Sequence, residues 1–299
     1  MPTDARRQAL AGAAFAVAAY GSWGLNPIYF KALAEVPALE ILGHRTVWSV
    51  LLLAGLITLM RRWPAVVAAL TTRKVLLTLL ATTVILGGNW LLFIWAINSG
   101  RVLEASLGYY MNPLINVLLG VVALKERLTR AQLAAVGLAA VGVANLVVQV
   151  GVVPWVSLGL AASFGIYGLL RKTAAVASVE GLFVEVLLLL LPSLAWLAWL
   201  EAEGTGHFGH AGAWIDLLLI LGGPITALPL IWFASAARRL KLGILGFFQY
   251  LAPTGQFLLA VFVYGEPFST ARLVTFALIW TAIAVVSLDS LGRMRTARA

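Results

Sequence analysis

The residues of this chain that could carry chemistry are few. Among 299 residues there are 21 Lys and Arg, 12 Asp and Glu, 3 His and no Cys. Without cysteine there is no disulfide, no thiolate nucleophile and no thiolate metal site. Glu40, His44 and Trp48 recur at a spacing of four, which puts them on one helical face with Arg45 beside them. Glu185 stands alone in a later apolar run. A charge deep in a membrane is costly and marks function, and histidine changes charge near neutral pH. His44, Glu40 and Glu185 are therefore candidates for a gate or a proton site, although side chains near helix ends can equally reach out to headgroups. His207 and His210 lie in Gly206-His-Phe-Gly-His, where weak metal chelation competes with the plainer reading of a solvated loop. There is no HExxH sequence and no Ser–His–Asp set, whereas an active site needs convergent titratable groups. An enzyme, a resident metal and a cofactor are not expected.

The uncharged polar residues are better organised. Ser106, Tyr109, Asn112, Pro113 and Asn116 fall at helical spacings on one stripe within Ser106–Asn116. Near residue 250 the pattern recurs as Gly246, Gln249, Ala252, Pro253 and Gln256, with Tyr110 matched by Tyr250. A proline inside a helix leaves the carbonyl four residues earlier without its donor. Those carbonyls are Tyr109 for Pro113 and Gln249 for Pro253. In the depth of a bilayer such backbone is tolerated only against protein or a wet cavity. Pro27 does the same to Trp23, beside Ser22, Asn26 and Tyr29, and Pro229 breaks a later run near Thr226 and Trp232. Asn89, Asn98, Ser163 and Tyr167 add polar groups in two further runs. The competing reading is ordinary hydrogen bonding between packed helices. The doubled, proline-centred pattern favours a cavity lined by Tyr109, Asn112, Asn116, Gln249, Gln256, Asn26, Tyr29, Tyr110, Tyr250, Tyr167, Trp232 and Asn89. Pro113, Pro253, Pro27 and Pro229 are then the expected bending points. Gly87-Gly88 and Gly222-Gly223 lack the frame of a phosphate loop, and close helix packing is the better reading.

Helices spanning a membrane must position these residues. The chain is 62% hydrophobic and 11% charged, with a mean hydropathy of +0.96, too apolar for a soluble surface. A span needs about 20 apolar residues. Ten runs qualify, near 10–33, 41–60, 75–97, 103–124, 131–150, 155–170, 182–200, 215–237, 243–264 and 273–288. They are continuous and do not alternate with period two, which excludes a barrel. Sorting Lys and Arg by parity of crossing puts 17 on one side and 4 on the other. The positive-inside rule then places both termini in the cytoplasm of a multi-pass, bacterial-type inner membrane protein. The pI near 10.3 follows from this topology and not from nucleic acid binding. The first run is too long for a cleaved signal peptide and is expected to be retained. Trp63, Trp155 and Tyr264 read as interface anchors.

The doubling extends beyond the two stripes. Pro113 and Pro253 are each followed 13 positions later by a glutamate, Glu126 and Glu266. Gly12 through Tyr20-Gly21 recurs as Gly159 through Tyr167-Gly168. Two units follow, 1–150 and 151–299, and five spans each is odd, so the second must be inverted. Inverted pairs place a solute site between them near the midplane. The loss of flanking cations from Lys125-Glu126-Arg127 to Gly265-Glu266-Pro267 agrees with that inversion. The fold expected is an all-α integral membrane protein of ten transmembrane helices in two inverted five-helix repeats around a central cavity.

The proline-to-glutamate spacing, its recurrence and the ten spans resemble the drug/metabolite transporter superfamily, EamA type. Tyr20-Gly-Ser-Trp-Gly-Leu-Asn-Pro-Ile-Tyr-Phe-Lys31, Pro37 through Arg45 and Trp48 resemble its RarD-like subgroup more narrowly, a subgroup with proteins similar to the aromatic amino acid exporter YddG. The resemblance implies a carrier exporting amino acids or related metabolites, and a multidrug or other metabolite exporter is the alternative. The partners expected are a small-molecule substrate and membrane lipid, with no nucleic acid; a monomer suffices and the oligomeric state is left open. Lys and Arg are not expected at mid-span, which argues against a phosphate or dicarboxylate carrier. A channel would show charged rings or a carbonyl filter sequence, and neither is present.

Overall fold

The computed structural model describes residues 2–124, 129–151, 153–237, 239–240 and 248–296, and all secondary structure among them is helical. Glu126 with Lys125 and Arg127, and Gly246, lie outside the described residues. The helices are α1 Pro2–Ala32, α2 Ala38–Leu59, α3 Trp63–Thr71, α4 Arg73–Asn98, α5 Val102–Leu124, α6 Arg130–Val150, α7 Trp155–Thr173, α8 Ser178–Ala202, α9 Ala213–Ala237, α10 Leu251–Leu258 and α11 Thr270–Thr296. A π-helical turn, Leu259–Val263, continues α10. Six of them, α2, α4, α6, α8, α9 and α11, are long and apolar enough to cross a bilayer by length and composition. Trp155–Arg171 and Leu251–Val263 are shorter apolar helices. Large apolar side chains left on the outside, such as Leu59, Val84, Val122, Val148, Leu191 and Phe262, are 73–84% exposed. Lipid is the solvent that suits such a surface.

Local chemistry sets the helix ends. Thr129 and Gln132 form a capping box at the start of α6, and Gly151 ends it at φ 73°. Pro64 opens α3, a nine-residue helix absent from the expected spans, whose Val66 and Ala69 are buried. One expected span differs in kind. The chain turns at 249–250 and α10 restarts at Leu251, so Pro253 stands in the first helical turn, where its missing N–H breaks no ladder. Pro113, by contrast, lies within the unbroken α5.

In the packing, α6 lies along α11, α5 on α7 and α10, α1 on α9 and α10, α4 on α7 and α8, and α2 on α8 and α9. Glycines allow the close crossings: a Cβ on Gly24 would meet the Leu251 and Ala252 carbonyls at 3.2 Å, and one on Gly223 would meet the Trp48 backbone at 2.7 Å. Gly222 likewise abuts Arg45, while Gly87 meets Leu189 and Gly88 faces open space.

Connections pair at each end of the bundle. At the first end the Glu266 carboxylate accepts from the Val102 and Leu103 N–H groups at 2.7 and 2.9 Å, capping α5. Burial pushes that carboxyl up, and the two N–H bonds pull it back. Ser157 Oγ donates to the Glu104 carbonyl at 2.7 Å. At the second end Thr129 Oγ1 donates to Asp289 at 3.2 Å, and Arg62 pairs with Glu180 at 3.7 Å.

Candidate functional site

Seven residues into α2, at the first end, the helix presents Arg45. A rise of about 1.5 Å per residue puts it roughly 10 Å below the helix start. The guanidinium does not reach out to a headgroup region, for Arg45 is 8% exposed. Its Nε donates to Thr226 Oγ1 on α9 at 2.6 Å, and Thr226 in turn donates to the Gly222 carbonyl at 2.7 Å. Its Cζ lies 4.1 Å from the ring centre of Trp90 and 5.9 Å from that of Phe30. Among the described residues no carboxylate lies within 4 Å of it. Removing a charge from water costs several kcal/mol even after relaxation. A hydrogen bond from a charged group returns about 1.5–3 kcal/mol, and a desolvated cation–π contact about 2 kcal/mol. Arg45 thus lies near the end of its span, as its position in the sequence implies, but turns inward and not toward a headgroup region, because Trp90 and Thr226, far away in the chain, draw it in.

From Phe30 a series of rings crosses the bundle. Tyr29 and Phe30 are 4.9 Å apart, Phe30 and Phe93 5.8 Å, Phe93 and Tyr109 5.6 Å, Tyr109 and Phe164 6.3 Å, and Phe164 and Tyr167 6.1 Å. Most of these pairs are edge to face, the arrangement that the ring quadrupoles favour. The column draws on α1, α4, α5 and α7. It ends at a second buried charge.

That charge is Glu185, seven residues into α8 from the second end and 0% exposed. Thr82 Oγ1 on α4 donates to it at 2.6 Å, Tyr167 OH donates at 3.1 Å, and Arg171 Nε lies 3.6 Å away. Arg171 lies over Gly181, where any Cβ would collide with the guanidinium. Glu185 therefore has two hydroxyl donors and a cation.

Glu40 is 1% exposed and accepts from the His207 N–H at 2.7 Å and from Nδ1 at 2.8 Å. His44 packs on Phe208 with ring centres 4.9 Å apart. Both border an open-sided cavity of about 140 Å³ lined also by Leu197, Leu200, Glu201, Gly206 and Phe208. His210 contacts Glu201 at 3.1 Å, and among the described residues no cluster of three His, Asp or Glu could hold a metal.

The proposed cavity residues divide into groups. Tyr29, Tyr109 and Tyr167 share the ring column, and Tyr29 OH also donates to the Leu218 carbonyl at 2.9 Å. Gln256 Nε2 donates to the Trp23 carbonyl at 3.2 Å, the carbonyl that Pro27 leaves free. Its Oε1 is buried without a partner among the described residues, as is Asn112 Oδ1. Asn89 bonds between α4 and α7, to the Leu160 carbonyl and to Ser163 at 3.2 and 2.8 Å. Tyr110 turns the other way, bonding Thr254 at 2.7 Å and packing on Phe276 and Trp280 of α11. Tyr250 also faces α11, through Ser287. Asn116 is exposed, and Asn26, Gln249 and Trp232 are half-buried. Pro229 is buried in α9, which also holds Pro224. Phe30, Trp90, Phe93, Phe164, Thr82 and Arg171 were not singled out by polarity, whereas Thr226 was named beside Pro229. A signal for the charges was nevertheless present: Glu40 and Glu180, and Arg45 and Glu185, are each 140 positions apart, the same register as Pro113 and Pro253.

A column of six packed rings thus joins the two buried charges. The EamA-like transporter family matches residues 10–148. Over 296 residues the chain is 50% identical to an uncharacterized transporter of Vibrio cholerae, covering 99% of this chain and 98% of that one. The chain belongs to the EamA-like transporter family. Within it the chain is 44% identical over 289 residues to the protein RarD of Escherichia coli, covering 97% and 98% of the two. A crystal structure 22% identical in sequence shares the fold at a TM-score of 0.56, covering 95% of this chain and 97% of that one. This EamA-family protein is thus a multi-pass membrane transporter of the drug/metabolite transporter superfamily.

Proposed function

We propose that this protein exports small neutral or zwitterionic metabolites, aromatic amino acids among them, across a bacterial inner membrane by alternating access. The observation that carries the reading is the column of six rings from Tyr29 to Tyr167; the buried amide oxygens of Asn112 and Gln256, without partners among the described residues, support it. Ring faces hold apolar and aromatic side chains, and unmatched amides supply hydrogen bonds to a solute backbone. The helix pairing supports two inverted five-helix units, 1–150 and 151–299. Exchanging α1, α2, α4, α5 and α6 for α7, α8, α9, α10 and α11 turns α2–α9 into α8–α4, α5–α7 into α10–α1 and α1–α9 into α7–α4. The same exchange leaves α2–α8, α5–α10 and α6–α11 as they are. The 17-to-4 division of Lys and Arg supports cytoplasmic termini. Pro27, Pro113 and Pro229 lie inside helices and are the places where those helices would bend as access alternates.

The test is counterflow in proteoliposomes holding the purified full chain, with labelled L-phenylalanine and L-leucine. Saturable exchange with either supports the reading, and absence of exchange for both, with folded protein, removes the amino acid assignment. A multidrug exporter is the second reading. It is favoured by the same column, because ring faces select weakly among apolar solutes, and competition by bulky apolar drugs without amino acid exchange would establish it.

A further inference from the structure

We propose that Arg45 is the anion anchor of the pathway, its two Nη groups receiving the carboxylate of a small acid or amino acid whose apolar body lies along Trp90, Phe30 and Tyr109. The inference deepens the carrier reading above and rests on it for the site's use. Arg45 commits only Nε within the protein, to Thr226, and Nη1 and Nη2 have no acceptor among the described residues. The nearby carboxylates are engaged elsewhere. Glu40 is taken by His207, Asp216 by the Gly209 N–H, Glu104 by Arg101, and Glu266 by the start of α5.

The guanidinium is also held in place before any ligand arrives. Thr226 donates to the Gly222 carbonyl, which leaves its oxygen free to accept from Nε. Gly222 admits the Arg45 Cα and Cβ at 3.2 and 3.4 Å from where its own Cβ would stand, and the Trp90 ring fixes the plane from one side. A planar fork fixed at Nε and open at both Nη atoms matches a carboxylate bidentately. The ligand's charge follows from the count of cations. Lys31 lies over Tyr264 and Arg101 pairs with Glu104, so Arg45 offers one positive charge to a monoanionic group. A phosphate dianion would be half matched.

The test compares 3-phenylpropionate with 3-phenylpropanamide, two probes of one shape that differ in charge, binding to the purified full chain in detergent by quenching of tryptophan fluorescence. The acid is expected to bind about tenfold to a hundredfold more tightly than the amide, as a charge-assisted hydrogen bond predicts. Arg45→Gln should abolish that preference by weakening the acid about tenfold or more beyond any weakening of the amide, with the fold checked by size exclusion and circular dichroism. Arg45→Lys should retain charge and lose the fork, lowering the preference by roughly tenfold. Should the Gln variant not fold, a Lys variant with the wild-type preference overturns the proposal. So does a folded Gln variant that still favours the acid, or a wild type with no preference. Counterflow of L-phenylalanine run in parallel separates the two readings. Exchange without an Arg45-dependent acid preference sinks the anchor alone, Arg45-dependent binding without exchange sinks the amino acid carrier alone, and neither binding nor exchange sinks both.

Discussion

The starts of α2 and α8 are built to one plan and end in opposite charges. In each helix the third residue is a buried glutamate tied to a connection from the other half of the chain: Glu40 to His207, and Glu180 to Arg62. In each the eighth residue is a buried charge that meets a threonine hydroxyl at 2.6 Å, Arg45 with Thr226 and Glu185 with Thr82. There the likeness stops. Glu185 also has Tyr167 and Arg171, so its charge is matched inside the protein. Arg45 has ring faces and, among the described residues, no carboxylate within 4 Å. The same scaffold thus yields an ion pair at one end, with Arg171 Nη1 still unpartnered among the described residues, and at the other a cation that has no carboxylate beside it.

The largest effect that tests this contrast is loss of the Glu185 carboxylate. Glu185→Ala strands Arg171, and breaking a buried pair by removing one partner costs about 3–5 kcal/mol. Thermal unfolding in detergent should show it, with Glu185→Gln milder because Thr82 and Tyr167 keep an acceptor. A wild-type melting temperature for Glu185→Ala would mean that Glu185 and Arg171 do not form a buried pair. The next effect tests the shared scaffold. Gly223→Ala sets a Cβ against the Trp48 backbone, an overpacking expected to cost about 1–3 kcal/mol and to separate α2 from α9. A variant as stable as wild type would show that the two helices can part at little cost.

How far this contrast could be read from sequence differs from residue to residue. Six of the expected spans were legible because continuous apolar runs near the bilayer's thickness have few alternative folds. The short α3 was not, since Trp63-Pro64 reads equally as an interface anchor and a turn. The two proline stripes read as equivalents, yet α5 continues through Pro113 while α10 begins just before Pro253. Composition does not record where a helix restarts. The Pro27-to-Trp23 argument found the free carbonyl but not Gln256 as its donor, because that partner lies 233 positions away. Arg45 was legible only as a charge near a helix end. Its inward course depends on Trp90 and Thr226, whose placement is tertiary. The 140-position register of Glu40 with Glu180 and of Arg45 with Glu185 is the one cue in the chain that joins these sites.

Apolar replacement of Arg45 should have the opposite character to loss of the carboxylate. Arg45→Met removes an unmatched buried charge and fills a similar volume. Exchanging buried charges for apolar groups of like size is often neutral or stabilising, and the lost hydrogen bond to Thr226 offsets part of that gain. The expected change in unfolding free energy is within about 1 kcal/mol of zero. A loss comparable to that of Glu185→Ala would mean that Arg45 has an internal counter-charge, and the contrast between the two ends would collapse.

The remaining comparison concerns the two glutamates at the helix starts. His207→Ala removes one of two hydrogen bonds to a carboxylate that is 1% exposed and leaves the backbone N–H in place. Losing a hydrogen bond to a charged group should cost about 1.5–3 kcal/mol. Arg62 reaches Glu180 at 3.7 Å with a side chain 55% exposed. Solvent screens such a pair, so Arg62→Ala should cost less than about 1 kcal/mol. Chemical unfolding of both variants in one detergent gives the order directly. If Arg62→Ala proves the more damaging, the connection at the second end is the tighter clasp, and the ion-paired region extends from Glu185 out to the surface.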